Sequence, residues 1–117
     1  MLRPTRHTMK KLIVPESEVL RQCIAYLYAR RIFAWRNNTG AAKTEDGRFV
    51  RFGLPGASDI LGILPGGKFL AVECKRSSGG KVSPQQQAFL DRIEKEGGVA
   101  IIATSVEDLI RRLENEQ

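Results

Sequence analysis

Asp59, Glu73 and Lys75 are the residues of this chain whose types and spacing best suit chemistry. They lie in or beside two apolar runs, 59–64 and 68–73, which a Pro-Gly-Gly loop separates as in a β-hairpin. A three-residue loop places Asp59 directly opposite Glu73, with about 5 Å between their β-carbons. Two carboxylates at that distance repel each other unless a cation lies between them, and a hard divalent ion such as Mg²⁺ suits carboxylate oxygens.

Lys75 follows Glu73 by two residues. Because side chains alternate along a strand, Lys75 shares the face of Glu73, whereas Cys74 points into the opposite layer. A metal ion at this position can lower the pKa of a bound water and offset charge on a phosphate, and an adjacent ammonium can stabilise the transition state. The cluster therefore predicts phosphodiester hydrolysis. Taken singly, each residue has an ordinary alternative role as a polar group at a strand end.

The composition favours a polyanionic partner. The 117 residues include 19 Lys and Arg against 13 Asp and Glu, a net charge of +6 at pH 7. Charge alone does not distinguish nucleic acid from an anionic membrane surface, but no apolar run approaches the roughly 18 residues of a membrane span. We expect a cytoplasmic protein with no membrane partner. Cys23 and Cys74 are expected to be reduced packing residues rather than zinc ligands.

Hydrophobic periodicity predicts the elements that position the cluster. Residues 1–14 are expected to form a basic flexible arm and residues 15–117 a single domain. Helices are expected at 16–31, from Ser83 to the Gly97-Gly98 pair, and at 105–113, and strands at 32–35, 49–52, 59–64, 68–73 and 99–103. The strand at 49–52 is expected to pair back across a polar segment that turns at Asp46-Gly47.

Three stretches, GLPGASDILGIL, FLAVECKR and GKVSPQQQAFL, resemble the VRR-NUC branch of the PD-(D/E)XK nuclease superfamily. The resemblance covers nearly all of residues 16–104. It implies an α/β fold with a restriction-endonuclease-like core, in which a mixed β-sheet is flanked by helices in αβββαβ order. A C-terminal helix is expected in addition.

The resemblance also implies roles for individual residues. Asp59 and Glu73 would ligate Mg²⁺ or Mn²⁺, the backbone carbonyl of Cys74 would be a further ligand, and Lys75 would be the catalytic lysine. The Val-Arg-Arg motif for which the family is named is absent at the strand that carries Glu73.

Two further site residues are expected from the resemblance. An acidic residue of the first helix approaches the metal in this family, and the alignment places it at Glu18, with Glu16 as the second choice. The alternative for Glu18 is a favourable interaction with the helix dipole on a solvated first turn. Gln86 corresponds to a glutamine that faces the active site, although its spacing from Ser83 also makes it a capping-box partner.

A basic and polar rim is expected around the metal, with a merely solvated loop as the alternative for any single member. The candidate DNA-binding residues are Arg36, Asn37, Asn38, Lys43, Arg48, Arg51, Arg76 and Lys81.

These features predict a metal-dependent, structure-selective DNA endonuclease. Minimal VRR-NUC proteins of phage and bacterial type resemble archaeal junction resolvases, which implies a homodimer that acts on four-way (Holliday) junctions in a bacterial or phage-infected cell. The enzymatic alternative is a nuclease directed to flaps, forks or ends. The non-enzymatic alternative is a DNA-binding module, against which the intact Asp-Glu-Lys set argues.

Overall fold

The computed structural model describes residues 12–38 and 40–116. Most of the predicted arm, residues 1–11, lies outside this range. Within the arm, Val14 is hydrogen-bonded to the domain. Its N–H donates to the Ser77 hydroxyl at 2.7 Å, and its carbonyl accepts from the Ser77 N–H at 2.9 Å.

Three helices and six strands make up the described chain. In chain order they are α1 (Glu16–Ala29), β1 (Phe33–Arg36), β2 (Gly40–Lys43), β3 (Phe49–Phe52), β4 (Ile60–Ile63), β5 (Phe69–Cys74), α2 (Pro84–Lys95), β6 (Val99–Ala103) and α3 (Val106–Glu114). Among the described residues, no helix is long and apolar enough to cross a membrane.

A four-stranded mixed sheet, ordered β1-β4-β5-β6, forms the centre of the fold. The pairs β1–β4 and β4–β5 are antiparallel, whereas β5 and β6 are parallel and connected through α2. Helices α1 and α3 cover one face and α2 covers part of the other. Without the β2–β3 pair, the elements follow the expected αβββαβ order, and the α/β fold with a flanked mixed sheet is confirmed.

The predicted hairpin register is also observed. Ile60 pairs with Val72 and Ile63 with Phe69, and the Leu64 N–H donates to the Lys68 carbonyl at 2.8 Å. The loop therefore has three residues. Extending the register by one position beyond the Ile60–Val72 pair places Asp59 opposite Glu73.

Alternation along β5 separates two layers of packing. Leu70, Val72 and Cys74 point into the core beneath α1 and α3, whereas Ala71 packs with Leu90 of α2. Because Glu73 and Lys75 keep the parity of Ala71, their side chains lie on the α2 face.

Cys23 and Cys74 are buried, unbridged cysteines of the larger core, as expected for packing residues. Contact with the Cys23 thiol, together with burial, raises the pKa of the Cys74 thiol. The Cys74 side chain is therefore a neutral apolar group at physiological pH.

Helix α1 ends before its predicted limit. Arg31 adopts a left-handed φ of 58°, and the Ile32 N–H donates to the Leu27 carbonyl at 2.9 Å. This is a Schellman turn with arginine at the position that glycine usually occupies. Because residue 31 is not a glycine, the sequence does not mark the end of α1.

Residues 49–52 form the predicted strand after the predicted turn at Asp46-Gly47, but the strand does not pair back with the strand predicted at 32–35. They form β3, whose partner is β2, a strand absent from the sequence prediction, and β2–β3 is a separate two-stranded sheet. The cause is local: Gly47 has φ 87° and its N–H donates to the Thr44 carbonyl at 2.9 Å, so the chain reverses immediately. The partner of β1 is β4 instead.

Candidate active site

The carboxylate of Asp59 reaches across the sheet from the residue before β4. Its Oδ2 accepts the backbone N–H of Cys74 at 2.8 Å. The same segment is anchored on its other side, because the Asp59 carbonyl accepts the N–H of Asn37 at 2.7 Å. Asp59 is thereby held against the end of β5, beside Glu73.

Glu73 is a buried carboxyl with incomplete hydrogen bonding. Only 1 % of the residue is exposed. Its Oε1 accepts from Gln86 Nε2 at 3.1 Å, whereas Oε2 has no hydrogen-bond donor among the described residues. Burial, reinforced by the charge of Asp59, raises the pKa of Glu73 to about 8. Without a metal ion, and despite the Lys75 ammonium 3.6 Å from its Oε1, this carboxyl holds its proton at neutral pH.

The ammonium of Lys75 lies between the carboxyl groups of Glu73 on β5 and Glu16 on α1. Lys75 is 9 % exposed, and its Nζ donates to Gln86 Oε1 at 3.0 Å. The same nitrogen lies 3.6 Å from Glu73 Oε1 and 3.8 Å from Glu16 Oε1. This places a positive charge at the carboxylates with its side chain held in one orientation.

Gln86 connects the start of α2 to the cluster. The capping box is complete: Ser83 Oγ accepts the Gln86 N–H at 3.1 Å, and Gln86 Oε1 accepts the Ser83 N–H at 2.9 Å. Gln86 still reaches Lys75 and Glu73, because an amide oxygen accepts two hydrogen bonds and the amide nitrogen remains as a donor. The capping role and the position at the cluster therefore coexist.

The structure favours Glu16 over Glu18 as the α1 residue near the cluster. The Glu18 carboxylate instead accepts from Arg21 Nη2 at 2.5 Å and from Gln22 at 3.1 Å. These hydrogen bonds, that of Arg21 first, lower the pKa of Glu18 to about 2. Helical spacing could have indicated Glu16, because it lies three residues before the buried Val19 and so on the same side of α1 as the buried residues.

Beside Lys75 the surface forms a basic cavity of about 530 Å³. Its lining includes Glu16, Arg76 and Lys81 as well as Lys75. Arg76 also donates from Nη2 to the Gly79 carbonyl at 2.9 Å. Two of the predicted DNA-binding residues, Arg76 and Lys81, thus share a cavity with the candidate catalytic lysine.

The other predicted DNA-binding residues lie on or beside the β2–β3 hairpin. Asn37 has a role inside the protein, because its side-chain amide donates to the Ser58 carbonyl at 3.2 Å. Arg48 is paired with Asp46 at 2.9 Å. The remaining members are exposed to solvent: Arg36, Asn38, Lys43 and Arg51.

The donor atoms of the cluster fit a hard divalent ion. Asp59 and Glu73 supply carboxylate oxygens, and Glu73 Oε2 is a buried acceptor without a donor. No group of three or more His, Cys, Asp or Glu side chains within residues 12–38 and 40–116 is arranged to hold a metal. The fit is therefore to an ion that takes one or two carboxylates and keeps several waters, as Mg²⁺ does.

Comparison with known proteins identifies the chain at the family level. The family model of the VRR-NUC domain matches residues 15–107, well over half of the chain. No curated protein and no solved structure was found to match. The matched range contains Asp59, Glu73 and Lys75, together with Gln86 and Glu16. The chain belongs to the VRR-NUC family and contains a nuclease domain.

Proposed function

We propose that this nuclease domain is a metal-dependent DNA endonuclease that hydrolyses phosphodiester bonds in branched DNA. The observation that carries the proposal is the arrangement of Asp59, Glu73 and Lys75 around one point, with Gln86 bonded to two of them. A buried carboxyl whose pKa is about 8 and whose Oε2 has no donor among the described residues has no stabilising role by itself. A bound metal ion would give the carboxyl such a role.

Asp59 and Glu73 would hold Mg²⁺ or Mn²⁺, which supplies an activated water and offsets phosphate charge. Lys75 donates to the phosphate or to the attacking water and stabilises the negative charge that develops. Gln86 keeps the ammonium of Lys75 oriented, since its Oε1 accepts from Nζ at 3.0 Å.

The substrate would bind along the basic surface. The cavity beside the candidate reacting centre is lined by Lys75, Arg76 and Lys81 against the one carboxylate of Glu16, so its net charge is positive. The net charge of +6 favours association with a polyanion along the rest of the surface.

A homodimer is supported by the half of the sheet that no helix within residues 12–38 and 40–116 covers. Helix α2 packs on β5 and β6, whereas β1 and β4 present exposed apolar side chains, namely Phe33, Trp35 and Ile63. Alternation places these on the sheet face that carries Asp59. Contiguous exposed apolar side chains mark interaction surfaces, and a two-fold dimer would present two sites for two symmetric nicks.

Cleavage of labelled four-way junction, flap and linear duplex DNA tests the proposal. The wild type and Glu73→Gln would be compared in Mg²⁺ and in EDTA, with Glu94→Gln on the exposed side of α2 as a matched control. We expect cutting that requires both Mg²⁺ and Glu73, at paired symmetric positions of the junction. Cutting of flaps or ends alone would contradict the junction assignment, and no cutting of any DNA by the wild type would contradict the endonuclease.

Sedimentation equilibrium tests the assembly separately. At tens of micromolar we expect twice the chain mass of 13.1 kDa. A monomer under those conditions would contradict the dimer. It would not bear on the endonuclease activity, which the cleavage assay tests.

A further inference from the structure

The β2–β3 hairpin has two chemically different faces. The register pairs Lys43 with Phe49 and Ala41 with Arg51, and alternation places these side chains on one face. Val50 and Phe52 lie on the other face. Phe49 is 77 % exposed, compared with 48 % for Val50 and 45 % for Phe52. The face with the two cations thus presents the more exposed aromatic ring.

The hairpin leaves the sheet beside the candidate active site. It is inserted between β1 and β4, whose ends Arg36 and Ile60 are paired. Asn37, which follows β1 and precedes the hairpin, donates its backbone N–H to the Asp59 carbonyl and its side-chain amide to the Ser58 carbonyl. DNA bound at Asp59 can therefore extend along the hairpin towards Lys43 and Phe49, which pair next to the turn at Asp46-Gly47.

The exposure of Phe49 has no explanation in folding. An isolated two-stranded hairpin is marginally stable in water, and a ring that remains 77 % exposed contributes little burial to it. Strands β2 and β3 contain no acidic residue. An exposed ring between Lys43 and Arg51 instead combines a stacking surface with positive charge, which is how proteins bind unpaired bases and their phosphates.

We propose that the face formed by Lys43, Phe49 and Arg51 binds an unpaired nucleobase of the substrate. Phe49 stacks on the base, and Lys43 and Arg51 contact the neighbouring phosphates. This inference rests on the proposed function and deepens it: an unpaired base is the feature of branched DNA that the domain recognises. A fully paired duplex presents no such base.

The test measures binding without cleavage. The Glu73→Gln protein in EDTA would be titrated into two labelled duplexes of equal length, one fully paired and one containing a single unpaired 2-aminopurine. Adding Phe49→Ala should weaken binding of the second duplex about tenfold, since stacking on one base contributes about 1–3 kcal/mol. Binding of the paired duplex should change less than about twofold, and 2-aminopurine quenching should be lost.

Matched variants separate stacking from hairpin folding. Phe49→Trp should retain the preference for the unpaired base, whereas Phe49→Leu, which is apolar without a flat ring, should lose it. Phe52→Ala removes the same side chain from the opposite face of the same strand and should leave the preference intact. Equal losses in Phe49→Ala and Phe52→Ala, or equal weakening on both duplexes, would overturn the proposal. Failure of the wild type to cut DNA in Mg²⁺ would instead count against the proposed function.

Discussion

Replacing Glu73 by glutamine should stabilise the metal-free protein while removing its cleavage activity. The carboxyl is almost fully buried, and its Oε2 has no donor among the described residues. Glutamine has nearly the same shape and cannot ionise. It therefore removes a charge that the folded protein disfavours, together with the oxygen expected to bind the metal.

The magnitude follows from the raised pKa of Glu73, which changes from a reference value of 4.5 to about 8. Below about pH 4.5 the carboxyl is protonated in both the folded and the unfolded chain. As the pH rises towards 8 the unfolded chain loses this proton first, so the free energy of unfolding falls. The full difference corresponds to about 5 kcal/mol, of which about 3 kcal/mol lies between pH 5.5 and pH 8.5.

Urea unfolding in EDTA at these two pH values measures the effect. The wild type should lose about 3 kcal/mol more unfolding free energy than Glu73→Gln as the pH is raised. Glu94→Gln, an exposed change on α2, should follow the wild type. Parallel losses in the wild type and Glu73→Gln would refute the reasoning. Mg²⁺ at pH 8.5 should recover stability in the wild type and not in Glu73→Gln.

Three further predictions concern substitutions at Gln86, Glu16 and Gly62. Gln86→Ala should reduce cleavage about tenfold and lower the free energy of unfolding by about 1 kcal/mol through loss of the cap, whereas Gln87→Ala should change neither. Glu16→Gln should reduce the cleavage rate and Glu18→Gln should not; the reverse result would restore Glu18 as the helix residue at the site. Gly62→Ala should lower the unfolding free energy by about 2 kcal/mol in a urea titration, because its Cβ would lie 2.7 Å from the Phe33 carbonyl oxygen.

Local rules account for the parts of the fold that could be predicted from the sequence. A three-residue loop and strict alternation were sufficient to place Asp59 opposite Glu73 and to put Lys75 on the same face. Ser83 and Gln86 identified the start of α2, and the Gly97-Gly98 pair identified its end, where Gly97 has φ 92°.

The parts that could not be predicted depend on less regular chemistry. Strand β2 has the composition Gly-Ala-Ala-Lys, which carries almost no strand propensity, so only its pairing with β3 defines it. The left-handed conformation that ends α1 occurs at Arg31, and an arginine does not predict such a conformation as a glycine would. The contact of Glu16 with Lys75 depends on how α1 is oriented over the sheet. Helical spacing from Val19 shows only that Glu16 lies on the sheet-facing side of α1.

The two separate sheets have a consequence for how the domain can vary. The pairing of β1 with β4 involves neither strand of the hairpin, and residues 37–59 simply join two neighbouring strand ends. Doubling the length of such a connection costs only about 0.6 kcal/mol in chain entropy. Natural selection, or a protein engineer, can therefore exchange the segment between Gly40 and Phe52 as a cassette while Asp59 and Glu73 keep their places.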